Sequence, residues 1–189
     1  FFYGVWVHYP WSNSLLHLLP ENDFINVRTS RNKYKITQKE QTDLSIKKIG
    51  IIGLSVGHSV ALTLAMERAC GELRLCDFDI MELSNYNRIR TKLSHIGIKK
   101  TVSVAREIAE IDPFIKVVCF HDGLTTDNID TFFTTHKGDF VDAMTVLGDH
   151  DELQVVPGSG TEQQIIMVDP DKISGDYYLP ELGMTAEDY

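Results

Sequence analysis

Cysteine is scarce in this chain and never paired. Cys70, Cys76 and Cys119 are the three among 189 residues, and no Cys-x-x-Cys occurs. This spacing excludes a disulfide framework and a cysteine-rich zinc module. All three lie in apolar runs, as reduced core thiols of a cytoplasmic protein do. The chain also lacks an apolar run near the ~20 residues that span a bilayer. No basic stretch followed by an apolar one opens it, so neither a signal peptide nor a membrane span is expected. The first residue is Phe1 rather than Met, as in a trimmed or partial chain. Positive charge is in deficit, with a formal net charge of −9. From Asp139 onward twelve Asp and Glu face one Lys, whereas residues 1–138 hold fifteen acids against seventeen Lys and Arg. That balance argues against a nucleic-acid partner and marks residues 171–189 as an acidic, solvated tail. Seven histidines are scattered without metal-ligand spacing.

A packed core is expected, with 43% hydrophobic and 24% charged residues. The length suits one sizeable α/β domain rather than two. Residues 1–47 read as an N-terminal extension. Residues 2–9 are aromatic and β-prone up to Pro10, and residues 14–19 form a short apolar turn or helix stopped by Pro20. Residues 37–46 read as a helix, because Thr37 and Glu40 have the spacing of a capping box. The period changes at residue 48. Residues 48–54 are a continuous apolar strand of the kind buried in a parallel sheet. A helix follows over 56–69, closed by Gly71. Further strands are expected at 72–76, 115–120, 139–144 and 163–168, and helices at 98–111 and 128–134. Residues 48–170 are therefore expected to form a doubly wound, Rossmann-like, mostly parallel sheet.

The turn between the first of these strands and its helix contains Gly53, Ser55, Gly57 and His58. A glycine turn opening a helix suits a phosphate, because the helix start presents free N–H groups and partial positive charge. Against G-x-G-x-x-G only Gly53 fits; Gly57 is one place off. Asp77 ends the second strand, 24 residues beyond Gly53, where an acid can accept hydrogen bonds from ribose hydroxyls. These two features do not separate NAD from ATP. The next segment does: Asn85, Arg88 and Lys100 add one amide and two cations, a clamp suited to a triphosphate.

Residues 75–88, with Asp77, Asp79, Ser84, Asn85 and Arg88, resemble the D-x-D-x-V-x-x-S-N-L-x-R-Q segment of the ThiF/MoeB/ubiquitin-activating (E1-like) superfamily. Gly97 and Lys100 match its I-G-x-x-K, and Ile111, Asp112 and Pro113 its I-N-P. The resemblance implies Mg-ATP binding and adenylation of a carboxylate, often the C-terminus of a ubiquitin-like or sulfur-carrier protein. It implies that Asp77 holds the ribose, with Asp79 beside it. Asn85, Arg88 and Lys100 would hold phosphates together with the Gly53, Ser55 and Gly57 turn. It further implies a homodimer in which Arg31 acts as an arginine finger in the neighbouring subunit's site.

The chain departs from that pattern in several places. Ile89 replaces the glutamine after the phosphate arginine. Thr145 stands where the family carries a metal-binding Asp, which leaves Asp142 as the candidate Mg2+ ligand. Residues 146–153 are short for a crossover, which usually takes about a dozen residues or more. Three functions stay open at this level. One is an ATP-dependent adenylyltransferase, another a catalytically impaired E1-like scaffold or partner subunit, and the third an NAD-dependent oxidoreductase resting on Gly53 and Asp77 alone.

Overall fold

The computed structural model describes residues 3–134, 143–147 and 165–168. Its main sheet has five parallel strands. They are β3 (Lys48–Ile52), β4 (Glu72–Cys76), β5 (Lys116–Phe120), β6 (Ala143–Leu147) and β7 (Ile165–Val168). Their order is β5-β4-β3-β6-β7. The chain builds outward from β3 to β5, then returns to the other side of β3. The switch point therefore falls between β3 and β6, where open α/β sheets bind ligands beyond the strands' carboxyl ends. Register pairs Ile51 with Leu75 on one side and with Thr145 on the other.

Helices cover both faces. On one face α3 (Gly57–Glu67) and α4 (Lys100–Ile111) pack over Ile51, Leu54, Leu73 and Leu75, with Ala61, Ala65, Val104 and Ile108 as their own buried residues. On the other, Phe132 of α5 (Ile129–Phe133) meets Ile52, Cys76 and Phe120. Each fully buried Leu or Ile stabilises the fold by about 1.5–3 kcal/mol, so this sandwich is the main source of stability. The α/β, doubly wound expectation holds. The strand expected at 163–168 is β7, which pairs in parallel with β6. The seventeen residues between β6 and β7 give the crossover length that 146–153 lacked. Their path, like the strand start expected at 139–142, lies outside the described residues.

The end of α3 differs from expectation. Arg68, not Gly71, takes the left-handed position, with φ 54°. Ala69 N–H then donates to the Leu64 carbonyl at 3.0 Å, closing the helix. Arg68 tolerates this backbone because its guanidinium is held by Asp112, a fully buried carboxylate. Gly71 serves close approach instead: a Cβ there would collide with the Ser45 carbonyl oxygen.

The N-terminal extension is more structured than its sequence suggested. Residues expected as an apolar turn or helix form β2 (Ser14–Leu18), antiparallel to β1 (Val5–Tyr9). Cross-strand pairing outweighs local preference there, with Trp6 stacked on His17 at 4.6 Å. Pro20 does not end a helix. It precedes one, α1 (Glu21–Arg28), since a proline at a helix start removes no intrahelical donor. The capping box appears as read, at the start of α2 (Gln38–Ser45). Glu40 N–H donates to Thr37 Oγ1 at 3.2 Å, and Thr37 N–H to Glu40 Oε2 at 2.7 Å. The extension docks on α4 and on the end of α3. Tyr9 Oη donates to the Ala109 carbonyl at 2.7 Å and Trp11 Nε1 to Glu110 at 2.7 Å. Phe24 packs edge-on against Phe114, and Arg28 reaches the Met66 carbonyl at 3.3 Å. Among the described residues no helix is long and apolar enough to cross a membrane.

Candidate nucleotide site

Three loops leave the carboxyl ends of β3, β4 and β5 and converge. Gly53 follows β3 with φ 84°, a conformation glycine adopts without strain. Its N–H bonds the Cys76 carbonyl at 2.9 Å. Asp77, 8% exposed, then organises two loops at once. Its Oδ2 accepts the Leu54 N–H at 2.6 Å and its Oδ1 the Asp79 N–H at 2.8 Å. Each Asp77 oxygen is thus already bound to the backbone. The exposed carboxylate of the pair is Asp79, whose side chain is 48% accessible.

The segment after β4 folds back on itself. Met81 N–H donates to the Ile98 carbonyl at 2.7 Å, and Gly97 N–H returns to Met81 at 2.8 Å with Gly97 at φ 81°. This brings Lys100, the first residue of α4, next to Asp79: Nζ to Oδ2 is 2.6 Å. Lys100 is 4% exposed. Its whole side chain is buried, and its ammonium is paired with the half-exposed Asp79 carboxylate.

Asn85 is 6% exposed and its Oδ1 accepts the Glu82 N–H at 2.9 Å. It shapes the short helical turn that carries Arg88. Arg88 is exposed, and its Nε donates to Ser55 Oγ at 3.1 Å, across 33 residues of sequence. Nη1 is braced by the Ser84 carbonyl at 3.2 Å and by Asn87 Oδ1 at 3.0 Å. The glycine turn and Arg88 therefore meet directly. Gly57 is buried as the first residue of α3. Beyond β5, Lys99 Nζ donates to the His121 carbonyl at 2.8 Å, and His121 Nδ1 lies 2.7 Å from Thr101 Oγ1. Phe78 rests against Gly123, where a Cβ would lie 3.2 Å from its ring.

Arg31 is not part of this cluster. Its neighbour Asn32 donates to the Glu67 carbonyl at 3.1 Å, at the far end of α3. The eleven residues of α3 span about 16 Å, more than an arginine side chain covers. Arg31 is exposed, and among the described residues its side chain makes no hydrogen bond or ion pair. Arg28, in contrast, is an anchor, 3.7 Å from Asp112.

Asp142 lies outside the described residues. Among the described residues no group of three or more His, Cys, Asp or Glu could hold a metal ion. The thiols are inert by environment: burial pushes Cys70 and Cys76 up to about 12 and Cys119 to about 11.

A polar cluster behind the turn escaped the sequence reading. His58 Nε2 lies 3.0 Å from Glu107 Oε2, and Thr91 Oγ1 donates to Glu107 Oε1 at 2.8 Å. The one available signal was helical spacing, since Lys100, Ser103 and Glu107 fall on one face of α4. Nothing in the sequence tied that face to Thr91 or His95.

The ThiF family signature matches residues 29–145, and the chain belongs to that family. It is 44% identical over 127 residues to "Uncharacterized protein MT1398" of Mycobacterium tuberculosis (strain CDC 1551 / Oshkosh), covering 67% of this chain and 18% of that protein. It is 32% identical over 94 residues to "Ubiquitin-like modifier-activating enzyme 5" of Drosophila pseudoobscura pseudoobscura, covering 49% of this chain and 24% of the relative. Among solved structures, E. coli tRNA N6-threonylcarbamoyladenosine dehydratase, TcdA, in complex with ATP, superposes with a TM-score of 0.58 at 23% identity. That match covers 66% of this chain and 50% of TcdA. The chain thus spans at most half of each of these proteins, and the likeness to TcdA is one of fold.

Proposed function

We propose that this chain is the nucleotide-binding part of an ATP-dependent adenylating enzyme. The observation that carries the reading is the Arg88–Ser55 contact at 3.1 Å, beside the buried Lys100. A Gly-rich turn at a helix start, an arginine and a lysine converge where a chain of phosphates needs charge. The E1-like relatives support the same reading. NAD has no third phosphate for such a clamp, and the dehydrogenase reading leaves Arg88 and Lys100 without a task.

The residues present fit ATP. Asp79 has an exposed carboxylate for the ribose hydroxyls, while Asp77 holds the glycine turn that faces the phosphates. Ser55, the N–H groups at the start of α3, Arg88 and Lys100 take the phosphates, and Asn85 fixes the turn that aims Arg88. A substrate carboxylate oxygen attacks the α-phosphorus. The new P–O bond forms as the bond to the bridging oxygen breaks, and pyrophosphate carries off that electron pair. Rate comes from alignment and from positive charge where negative charge builds up. Lys100 must loosen its bond to Asp79 to reach a phosphate, so the ion pair holds the cation in place until ATP arrives. Mg2+ would neutralise part of the triphosphate charge; Asp142 is its candidate ligand by sequence, and no step is assigned to it.

Arg31 lies in the extension, beside the end of α3 remote from its own site, so its use in catalysis requires a second subunit. A homodimer, with Arg31 serving the partner's phosphates, follows from this reading. A ubiquitin-like or sulfur-carrier protein ending in a flexible carboxylate is the substrate class proposed, in the cytoplasm where reduced thiols persist.

Isotope exchange between pyrophosphate and ATP, run against a panel of such carrier proteins, tests the reaction. Exchange that depends on a carrier supports it. ATP binding without exchange for any carrier leaves a nucleotide-binding partner subunit instead, and displacement of ATP by NAD overturns the nucleotide assignment.

A further inference from the structure

Glu107 stands in the third turn of α4 with its side chain 13% exposed. Two separate pieces of chain and the preceding turn of its own helix converge on its carboxylate. His58, the second residue of α3, approaches Oε2 to 3.0 Å. Thr91, three residues past Arg88, donates to Oε1 at 2.8 Å. Ser103, one turn earlier on α4, donates to Oε1 at 3.3 Å. His95 closes the cluster: Nδ1 lies 2.7 Å from Ser103 Oγ, 3.0 Å from Thr91 Oγ1 and 3.4 Å from Glu107 Oε1. Burial alone would raise the Glu107 pKa. Hydrogen bonds from His58 and Thr91, with the His58 and His95 imidazoles nearby, outweigh it and hold the group below the usual carboxylate range.

This carboxylate sits behind the phosphate turn rather than in it. His58 belongs to the first turn of α3, whose N–H groups face the nucleotide. Thr91 and His95 belong to the loop that carries Arg88. Among the described residues, the direct hydrogen bond between the two halves of the clamp is the exposed one from Arg88 to Ser55. Such a bond contributes little rigidity in water. A buried carboxylate with several donors holds them far more firmly.

We propose that Glu107 is a positioning residue for the phosphates of ATP, fixing the start of α3 and the Arg88 loop at the separation where both meet one anion. The inference rests on the ATP reading above. With the two loops held in advance, binding does not have to order them, and affinity rises accordingly. The effect is confined to the phosphates, because the ribose would lie at Asp79 and the base against the loop after β5, and among the described residues Glu107 bonds to neither place.

The test is calorimetric titration of wild-type protein and of Glu107→Ala with Mg-ATP and with adenosine, alongside thermal unfolding. The expected result is at least a tenfold rise in Kd for ATP with adenosine affinity within twofold of wild type. A merely structural role lowers Tm but leaves the folded protein's ATP-to-adenosine preference unchanged, and that result overturns the proposal. Equal weakening of both ligands overturns it too. If Glu107→Ala does not fold, Glu107→Gln carries the same contrast, with at least a threefold loss selective for ATP expected and an unchanged preference refuting. Wild-type protein that binds neither ligand refutes the ATP reading itself, and with it this inference. Wild-type binding with an unchanged preference in the variant refutes only the role of Glu107.

Discussion

Replacing Asp112 by Ala tests how the extension and the end of α3 are held. The Asp112 carboxylate is fully buried and pairs with Arg68, whose side chain is 4% exposed. It also lies 3.7 Å from Arg28 and accepts the Phe114 N–H at 3.0 Å. Asp112→Ala leaves the Arg68 guanidinium buried without a counter-charge, which costs about 3–5 kcal/mol. The lost bond to Phe114 adds about 1 kcal/mol, and the two overlap because they share one side chain. About 4 kcal/mol is therefore expected, a large part of the 5–15 kcal/mol typical of a domain. At about 2–4 °C per kcal/mol for a chain of this size, Tm should fall by roughly 8–16 °C. Urea unfolding followed by circular dichroism gives the free energy directly. Removing both charges, as Arg68→Met with Asp112→Leu, should recover most of the loss, since the fully buried pair goes together and Arg28, with 25% of its side chain exposed, keeps access to water. A loss below about 1 kcal/mol for Asp112→Ala, or a double variant worse than the single one, refutes this account of the anchor.

Three further outcomes follow from the site and its surroundings. Arg88→Ala and Lys100→Ala should each weaken ATP binding by about ten- to a hundredfold, the worth of one charge-assisted hydrogen bond, with Tm little changed for the exposed Arg88; calorimetry checks both. Because the folded Glu107 pKa is depressed, its stabilisation is present above the unfolded pKa near 4.5 and is lost as pH falls through the lower folded value. Glu107→Gln should therefore be less stable than wild type at pH 7, with the gap in Tm closing as pH drops below about 4.5. Native protein at pH 8 should resist iodoacetamide at all three described cysteines, since burial raises Cys70 and Cys76 to about 12 and Cys119 to about 11; mass spectrometry before and after unfolding measures this.

The main sheet was readable because its signals are local. The mostly apolar run at 48–54 and the short strand pattern at 72–76 are local signals, and the stripe on α4 fixes its inward face. Asn85, Arg88 and Lys100 were readable as a motif, and the structure adds a contact that a motif lacks: the arginine meets the serine of the glycine turn. The extension was misread where pairing decides. Ser14–Leu18 has the composition of either a helix or a strand, and Trp6 across from His17 settles it. Arg68 in place of Gly71 shows the same thing at a helix end, where a distant carboxylate holds an arginine in a backbone state that local rules reserve for glycine. Asp77 and Asp79 look alike in sequence. Each oxygen of the first accepts one backbone N–H, whereas the second is half-exposed and paired with Lys100. Glu107 could not be read at all, because His58 of α3 and Thr91 and His95 of the Arg88 loop are brought to it only by the fold.

The most direct test of the central claim is a crystal structure of the protein soaked with ATP. The account predicts the phosphates at the start of α3, within hydrogen-bond distance of Arg88 and Lys100, with the ribose at Asp79. A nucleotide bound elsewhere, or phosphates that touch neither cation, would contradict it.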